Sequence, residues 1–344
     1  MREVTITSIY RGKKITVEVR GASHGGEISA SINGLEGFSF DEKTVKAALA
    51  RRSPAGVAGA TARVEKDDPE YLSGVKNGKI TGRVKIRFLN EKQNSGEYEK
   101  LYGVPRPSHA DIGRYFKDGT LDFTGGGEYS GRATVGLCAV GAIALDVLKT
   151  YYGVKISAEV IKAGGVCGDE RAINDVALKA KSEGDSVGAE VACVVENCPK
   201  GLGGSLFDGL DGKISAMLFS VPAVKGVQFG KGFALCDARG SLANDGMRVE
   251  NGKITFEKND DGGIYGGISC GDELAMSVAF KPTPSIAKTQ RTVNLLTYEN
   301  TEIAIEGRHD ACVALRATST VEGVVALAIL DEILYDAKSK KRDR

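Results

Sequence analysis

The chain has 344 residues, a length that fits about two ordinary domains or one large one. Charged residues make up 26% and hydrophobic residues 42%, so the chain can bury a core and is not disordered as a whole. The 46 basic and 45 acidic residues leave a net charge of +1, which excludes a global attraction to nucleic acid or to an anionic membrane. Any anion must therefore be bound locally.

The beginning of the chain predicts a β-hairpin followed by a helix. Polar and apolar residues alternate from Val4 to Val19, with Arg11-Gly12-Lys13 as the turn between two strands. An acidic start at Asp41 and a basic end at Arg52 enclose an apolar stripe, which predicts a helix that Pro54 stops.

The middle and end of the chain predict strands and two enclosed helices. Residues 80–88 form the best strand pattern before residue 100, and residues 98–127 predict a long irregular segment, which in proteins is usually functional. Ser130 can cap a helix running to Leu148, and a second runs from Val321 to Tyr335; both are apolar nearly all round. Further strand-like stretches are Lys155–Ala163, Ser215–Phe219, Val227–Phe233 and Glu273–Phe280.

This order of elements predicts an α+β sandwich. Two enclosed helices with strands before, between and after them favour a helical layer covered on both faces by antiparallel sheets. No repeat or linker divides the sequence, so we expect one domain over residues 1–337 and a frayed basic tail over residues 338–344. The apolar stretches contain charges and are too short to span a membrane, and no signal peptide is visible, so we expect a cytoplasmic protein.

The seven cysteines indicate reduced thiols. Their number is odd, and most lie in apolar or glycine-rich runs without a metal-like spacing. A reducing compartment and no bound metal are therefore expected.

Histidine and arginine mark the candidate chemistry. The three histidines, His24, His109 and His309, each stand in a polar segment beside Ser, Arg or Asp, which favours a site that handles protons near neutral pH. Arginines occur in or near the same segments, at positions 51, 52, 106, 132, 308 and 316. Guanidinium groups bind phosphates and carboxylates through paired hydrogen bonds, so a small polyanion is the expected ligand.

Two segments could cradle an anion. The glycine-rich run from Gly125 leads into the predicted helix at Ser130 and exposes free backbone N–H groups. It nearly matches a P-loop, but Arg132 and Ala133 stand where Lys and Ser or Thr are required, which disfavours an NTPase. The second segment, Lys281 to Ile286, combines a cation, hydroxyls and a rigid turn, although alone it would be read as an ordinary turn.

Together these segments resemble the chorismate synthase family over nearly the whole chain. The motifs fall in the family's order and are Gly21-Ala22-Ser23-His24-Gly25, Arg51-Arg52-Ser53-Pro54, Arg106-Pro107-Ser108-His109-Ala110-Asp111, Gly201-Leu202-Gly203, residues 221–227, residues 262–269, residues 281–286 and Gly307-Arg308-His309-Asp310-Ala311-Cys312. So many ordered matches are more specific than any one of them.

The resemblance implies a chorismate synthase-like sandwich and a lyase. It would convert 5-enolpyruvylshikimate 3-phosphate into chorismate and phosphate, in the shikimate pathway of aromatic amino acid biosynthesis. It would use reduced FMN without net consumption and assemble as a homotetramer. NADPH would serve only as an indirect reductant, since no reductase domain is visible. Neither nucleic acid nor a membrane is implied as a partner.

The resemblance also implies roles for individual residues. His24 would protonate the departing phosphate, His109 would balance charge at the flavin N1 edge, and Asp310 would assist deprotonation near N5, while His309 is interpreted as structural. Substrate anions would be neutralised by Arg52, Arg106 and Arg132. FMN would contact Tyr129, Ser130, Pro222, Ala223, Gly266, Lys281, Pro282, Thr283, Pro284, Ser285 and Arg308.

The chain departs from the family pattern around its active-site loops. Ala22 replaces Glu, Ser53 replaces Arg, Ala58 stands where a second loop arginine is expected, and Glu128 replaces Arg or His. Arg63 could substitute for the residue missing at Ala58. These changes keep open an alternative function: a homologue that binds flavin or a phosphorylated ligand without turnover.

Overall fold

The structure, a computed structural model, describes residues 7–23, 25–63, 65–90, 101–305 and 309–342. His24 and Arg308, and with Arg308 one predicted FMN contact, lie outside the described residues.

The first sheet is antiparallel and comes from the first quarter of the chain. Its strands are β1 (Thr7–Arg11), β2 (Thr16–Gly21), β3 (Glu27–Asn33), β4 (Glu70–Lys76) and β5 (Lys79–Leu89), in the spatial order β1-β2-β3-β5-β4. In the register of β1 and β2, Arg11 lies opposite Thr16, which confirms the predicted hairpin from Thr7 onward. The predicted strand at residues 80–88 is β5.

The second sheet is also antiparallel. The remaining strands are β6 (Lys155–Ala163), β7 (Val166–Cys167), β8 (Ala189–Glu196), β9 (Val224–Phe229), β10 (Met247–Glu250), β11 (Lys253–Phe256), β12 (Ile264–Tyr265), β13 (Ile268–Ser269), β14 (Leu274–Phe280), β15 (Gln290–Asn294) and β16 (Glu299–Ile303). The second sheet has the order β7-β6-β8-β14-β9, and the other strands form three separate hairpins.

A layer of helices separates the two sheets. The helices are α1 (Glu42–Arg52), α2 (Asp111–Asp118), α3 (Thr134–Val147), α4 (Glu170–Ser182), α5 (Leu210–Leu218), α6 (Gly240–Ala243) and α7 (Thr318–Arg342). Helix α3 packs on the first sheet through β3 and β5, α7 packs on the second through β6, and the two helices contact each other. This arrangement confirms the predicted α+β sandwich.

Two glycines set the distance between the central helices. A Cβ atom on Gly141 of α3 would lie 2.5 Å from the Cα atom of Gly323 in α7, so larger residues would force the backbones apart. Residues Gly131–Tyr152, which include α3, are long and apolar enough to cross a membrane. However, 61% of that apolar stretch is buried inside the protein, as expected for a core helix.

One carboxylate joins the last helix to the first hairpin. Asp331 of α7 accepts hydrogen bonds from the backbone N–H groups of Lys13, Lys14 and Ile15 at 2.7–2.8 Å. The main buried apolar cluster accordingly includes both Ile15, next to the hairpin turn, and Ile333 of α7.

Several predicted elements differ from the structure. Of residues 215–219, predicted as a strand, 215–218 belong to helix α5 and Phe219 is its C-cap, because a short apolar run has no period that distinguishes strand from helix. The segment predicted to be irregular at residues 98–127 contains helix α2. Helix α7 continues to Arg342, beyond the end predicted at Tyr335.

The strand predicted at residues 227–233 ends at Phe229, because Gly230 turns the chain with a φ of 52°.

Candidate active site

A single large cavity opens at the end of the helical layer, next to the start of α3. Its volume is about 760 Å³, within the usual range of small-molecule sites. Its walls come mainly from six segments of the chain: residues 52–67, 106–110, 128–134, 219–223, 281–285 and 309–320.

Most of the predicted site residues that the structure describes line this cavity. They are His109, Asp310, Arg52, Arg106, Arg132, Tyr129, Ser130, Pro222, Ala223, Lys281, Thr283, Pro284 and Ser285. Pro282 and Gly266 are not among the lining residues. Gly266 forms the turn between β12 and β13 with Gly267, and both have positive φ angles, so this hairpin requires glycine for its own geometry.

A buried carboxylate holds the predicted catalytic His109 and Arg106. Asp111 begins helix α2 and is fully buried. It accepts hydrogen bonds from Arg106 Nε at 2.7 Å and Nη2 at 2.9 Å, and from the Arg106 backbone N–H at 3.0 Å. His109 Nδ1 lies 2.5 Å from Asp111 Oδ1. Asp111 therefore fixes both side chains at the cavity wall.

The electrostatics of this cluster determine the state of His109. Burial lowers the pKa of His109, opposed by its hydrogen bond to Asp111, so the imidazole is neutral near pH 7. Burial opposes ionisation of Asp111, but the bonds from His109 and Arg106 outweigh it and lower the pKa to about 2. Because an ionised carboxylate only accepts, the proton of His109 resides on Nδ1, and Nε2 remains an acceptor.

The other predicted catalytic carboxylate is also held by arginine. Arg316 donates to Asp310 Oδ1 from Nε at 3.0 Å and to Oδ2 from Nη2 at 2.7 Å. The backbone N–H of Thr61 adds a bond to Oδ1 at 3.0 Å. Asp310 thus lies at the cavity with a fixed orientation. Sequence analysis noted Arg316 but gave it no role.

Asp67, which the sequence did not single out, lies between two of the predicted substrate-binding arginines. Arg52 Nη1 donates to Asp67 Oδ2 at 3.1 Å, and Arg132 Nη1 donates to Oδ1. All three residues are at least nine-tenths buried. Burial, together with repulsion by Arg316, lowers the pKa of Arg52 to about 10, which still leaves it charged at neutral pH.

Four buried polar atoms of the cavity lining have no hydrogen-bond partner within the described part of the chain. They are Arg132 Nη2, Thr283 Oγ1, His309 Nε2 and Thr320 Oγ1. Buried polar groups are nearly always satisfied, so these four atoms beside one cavity are available to bound water or to a polar ligand. The prediction that His309 is structural did not anticipate its place in the cavity lining. Burial, followed by repulsion from Arg106, lowers its pKa to about 4, so it is neutral near pH 7.

Two of the departures from the family pattern, those at Ala58 and Glu128, can be compared with the cavity lining. Arg63 lines it, bonded to Glu65 at 2.8 Å and to the backbone oxygen of Ser23 at 3.1 Å, whereas Ala58 does not line it. Glu128 also lines the cavity, and its carboxylate lies 3.8 Å from Arg114 Nε of α2.

One turn of the cavity lining carries groups that fit a phosphate. Lys281 Nζ, bonded to the backbone oxygen of Ser108, lies in one turn with the hydroxyls of Thr283 and Ser285. Such a combination of cation and hydroxyls fits a phosphate. Within the described ranges, no three His, Cys, Asp or Glu side chains group as metal ligands.

The layered fold and the arginine-lined cavity define an α+β sandwich protein with a cavity suited to a small anion. The chorismate synthase family model matches residues 15–334, and the chain belongs to that family. Proteins named chorismate synthase are similar to it. The one from Korarchaeum cryptofilum is 39% identical, covering 94% of this chain and 96% of its own. The one from Methanosarcina acetivorans is 39% identical, covering 94% and 95%.

A solved structure described as a crystal structure of chorismate synthase has the same fold. It superposes with a TM-score of 0.73 at 21% identity, covering 95% of this chain and 93% of the other.

Proposed function

We propose that this protein is a carbon–oxygen lyase that converts 5-enolpyruvylshikimate 3-phosphate into chorismate and phosphate. Membership of the family supports the reaction, since the chain covers nearly the whole length of relatives that carry the name. The observation that carries the proposal is the cavity itself, where guanidinium groups meet buried polar atoms that lack protein partners. The substrate has one phosphate and two carboxylates, which match that lining.

The proposed cofactor is reduced FMN. Removing an unactivated ring hydrogen together with an allylic phosphate is beyond ordinary side-chain bases, and a bound reduced flavin supplies the electron density for it. The residues proposed to hold FMN are Tyr129, Ser130, Pro222, Ala223, Gly266, Lys281, Pro282, Thr283, Pro284, Ser285 and Arg308. In this set, the Lys281 turn would bind the phosphate.

The arginines would bind and orient the substrate. Arg106 is buried and keeps its orientation through Asp111, so it would present a fixed positive charge to a phosphate or carboxylate. Arg132 would contribute its unpartnered Nη2 donor. Preorganised charges of this kind lose little free energy to reorganisation when an anion leaves.

The proposed proton-handling residues are His24, His109 and Asp310. His109 would act as a neutral imidazole whose Nε2 accepts a hydrogen bond in the cavity, since Asp111 holds Nδ1. Asp310, oriented by Arg316, would accept a proton on the same cavity wall as His309. His24 would donate to the departing phosphate.

Three further properties complete the proposal: a homotetramer, a cytoplasmic location and external reduction of the flavin. The family resemblance supports the first two. A comparison of NADPH with chemical reduction of FMN tests the third.

An anaerobic assay tests the reaction. Purified protein with reduced FMN and 5-enolpyruvylshikimate 3-phosphate should release phosphate and form chorismate, and oxidised FMN should support neither. The matched control is His109→Ala, which should bind substrate but turn it over slowly. No phosphate release at saturating reduced flavin would refute the proposal.

A second candidate is a binding protein without turnover. The Glu128 carboxylate in the cavity favours it, because a negative charge there weakens binding of an anionic ligand and its arginine partner lies 3.8 Å away. Thermal stabilisation by FMN combined with zero turnover would support this candidate instead.

A further inference from the structure

Arg52 and Arg132 differ in what remains free for a ligand. Each nitrogen of the Arg52 guanidinium has a protein acceptor: Nε donates to Thr134 Oγ1 at 2.9 Å, Nη1 to Asp67 at 3.1 Å, and Nη2 to the backbone oxygen of Gly131 at 3.0 Å. Arg52 therefore supports the loop that leads into α3. Four of its five N–H donors therefore have acceptors within the protein, since Nη2 also donates to the backbone oxygen of Arg132 at 3.3 Å.

Arg132 is held by two acceptors, and its third nitrogen has none among the described residues. Its Nε donates to Asn90 Oδ1 at 2.9 Å, and its Nη1 donates to Asp67 Oδ1. Its Nη2 is buried and has no acceptor among the residues that the structure describes. The guanidinium is planar and rigid, so fixing Nε and Nη1 also fixes the direction of Nη2.

The backbone of Asp67 is adapted to this contact. Its φ angle is 51°, a left-handed conformation that non-glycine residues rarely adopt and that costs about 1–3 kcal/mol. Its two carboxylate oxygens bind two different arginines. Two cations and one anion leave this cluster with one excess positive charge next to the cavity, so one ligand anion would balance it.

We propose that Asp67 is a positioning residue, which aims Arg132 Nη2 at an anionic group of the substrate while Arg52 anchors the loop behind it. This inference rests on the proposed function. It divides the two arginines by role: Arg132 contacts the ligand, and Arg52 acts through Asp67 and the backbone of the loop.

The direction in which one substitution changes anion affinity distinguishes positioning of Arg132 from simple charge neutralisation. Asp67→Asn removes a negative charge beside the anion site, so simple electrostatics would strengthen anion binding. If Asp67 positions Arg132, the same change weakens binding, because the amide can accept from only one arginine with its single oxygen. Asparagine also tolerates the left-handed conformation, so the backbone is preserved. Asp68→Asn, at the exposed neighbouring residue, is the matched control.

The experiment measures KM and kcat for 5-enolpyruvylshikimate 3-phosphate with reduced FMN, and the dissociation constant of inorganic phosphate by calorimetry. We expect Asp67→Asn to raise KM and the phosphate dissociation constant roughly 10-fold or more, the loss of one charge-assisted hydrogen bond. Asp68→Asn should change both less than twofold. Equal or tighter binding by Asp67→Asn would overturn the inference.

A double variant separates positioning from the net charge of the cluster, and the melting temperature of each variant without ligand shows whether it is folded. Arg52→Gln with Asp67→Asn removes one positive and one negative charge, so the net charge of the cluster is unchanged. Positioning predicts that phosphate binding stays weak in this double variant, and a return to the wild-type value would overturn the inference. Wild-type protein that binds phosphate but does not turn over the substrate would refute the proposed function alone, and the calorimetric comparison would still decide the role of Asp67.

Discussion

Replacing Asp111 by Asn should destabilise the protein by about 3 kcal/mol. The carboxylate is fully buried and accepts four hydrogen bonds from Arg106 and His109. Removing its charge leaves Arg106, only 3% exposed, without a counterion, and breaking a buried pair typically costs about 3–5 kcal/mol. The lowered pKa gives a second estimate. A fall from 3.8 to about 2 corresponds to about 2.5 kcal/mol at about 1.36 kcal/mol per unit.

The pH dependence of this effect follows from the sign of the shift. The folded pKa lies below the unfolded one, so the stabilisation by Asp111 is complete above about pH 4 and is lost as the pH falls towards 2. Urea unfolding of the wild type and Asp111→Asn should therefore give a constant difference between pH 5 and pH 8. The control is Asp118→Asn, at the exposed end of the same helix, which should unfold like the wild type. A difference below about 1 kcal/mol for Asp111→Asn would refute the reasoning.

Other substitutions test the core and the site. Gly141→Ala should destabilise the protein by about 1–3 kcal/mol, because its Cβ would meet the backbone of α7. Gly212→Ala on α5 should stabilise it by about 0.5–1 kcal/mol, because no atom lies within 4 Å of the added Cβ. Urea unfolding measures both changes. His109→Ala should lower kcat by roughly 100-fold or more and, because it removes one of the four hydrogen bonds to Asp111, should lower the flavin-free stability by about 1 kcal/mol; normal turnover would contradict this. Lys281→Met should weaken FMN binding roughly 10-fold in a fluorescence titration, and Lys253→Met, at an exposed lysine that does not line the cavity, should leave it unchanged.

The layered architecture could be predicted from the sequence because its signals are long and local. The polar–apolar alternation before residue 20 predicts half-buried strands, and the helices that are apolar nearly all round predict enclosed helices. The structure confirms the hairpin and the enclosed helices. Short elements were harder: residues 215–219 contain too few positions to distinguish the two periods, and helix α2 has no side-chain cap at Ala110.

The site could be predicted in part. Motif order identified the arginines and His109, whose neighbours in the sequence already suggested chemistry. Asp67 could not be found in this way, since its role depends on Arg52, 15 residues before it, and Arg132, 65 residues after it. The unpartnered nitrogen of His309 is likewise a property of three-dimensional burial.

The position of helix α7 has a consequence for how the chain is made. This helix follows both five-stranded sheets in the sequence, yet it fills the space between them. At roughly 5–20 residues per second, β5 leaves the ribosome about 10–50 seconds before α7 does. Helix α3 can cover the first sheet as soon as it has emerged, but the face of α3 that packs on α7 stays uncovered until the end of that interval. Nascent chains should therefore depend on chaperones until translation reaches Asp331, whose carboxylate then secures the hairpin that was synthesised first.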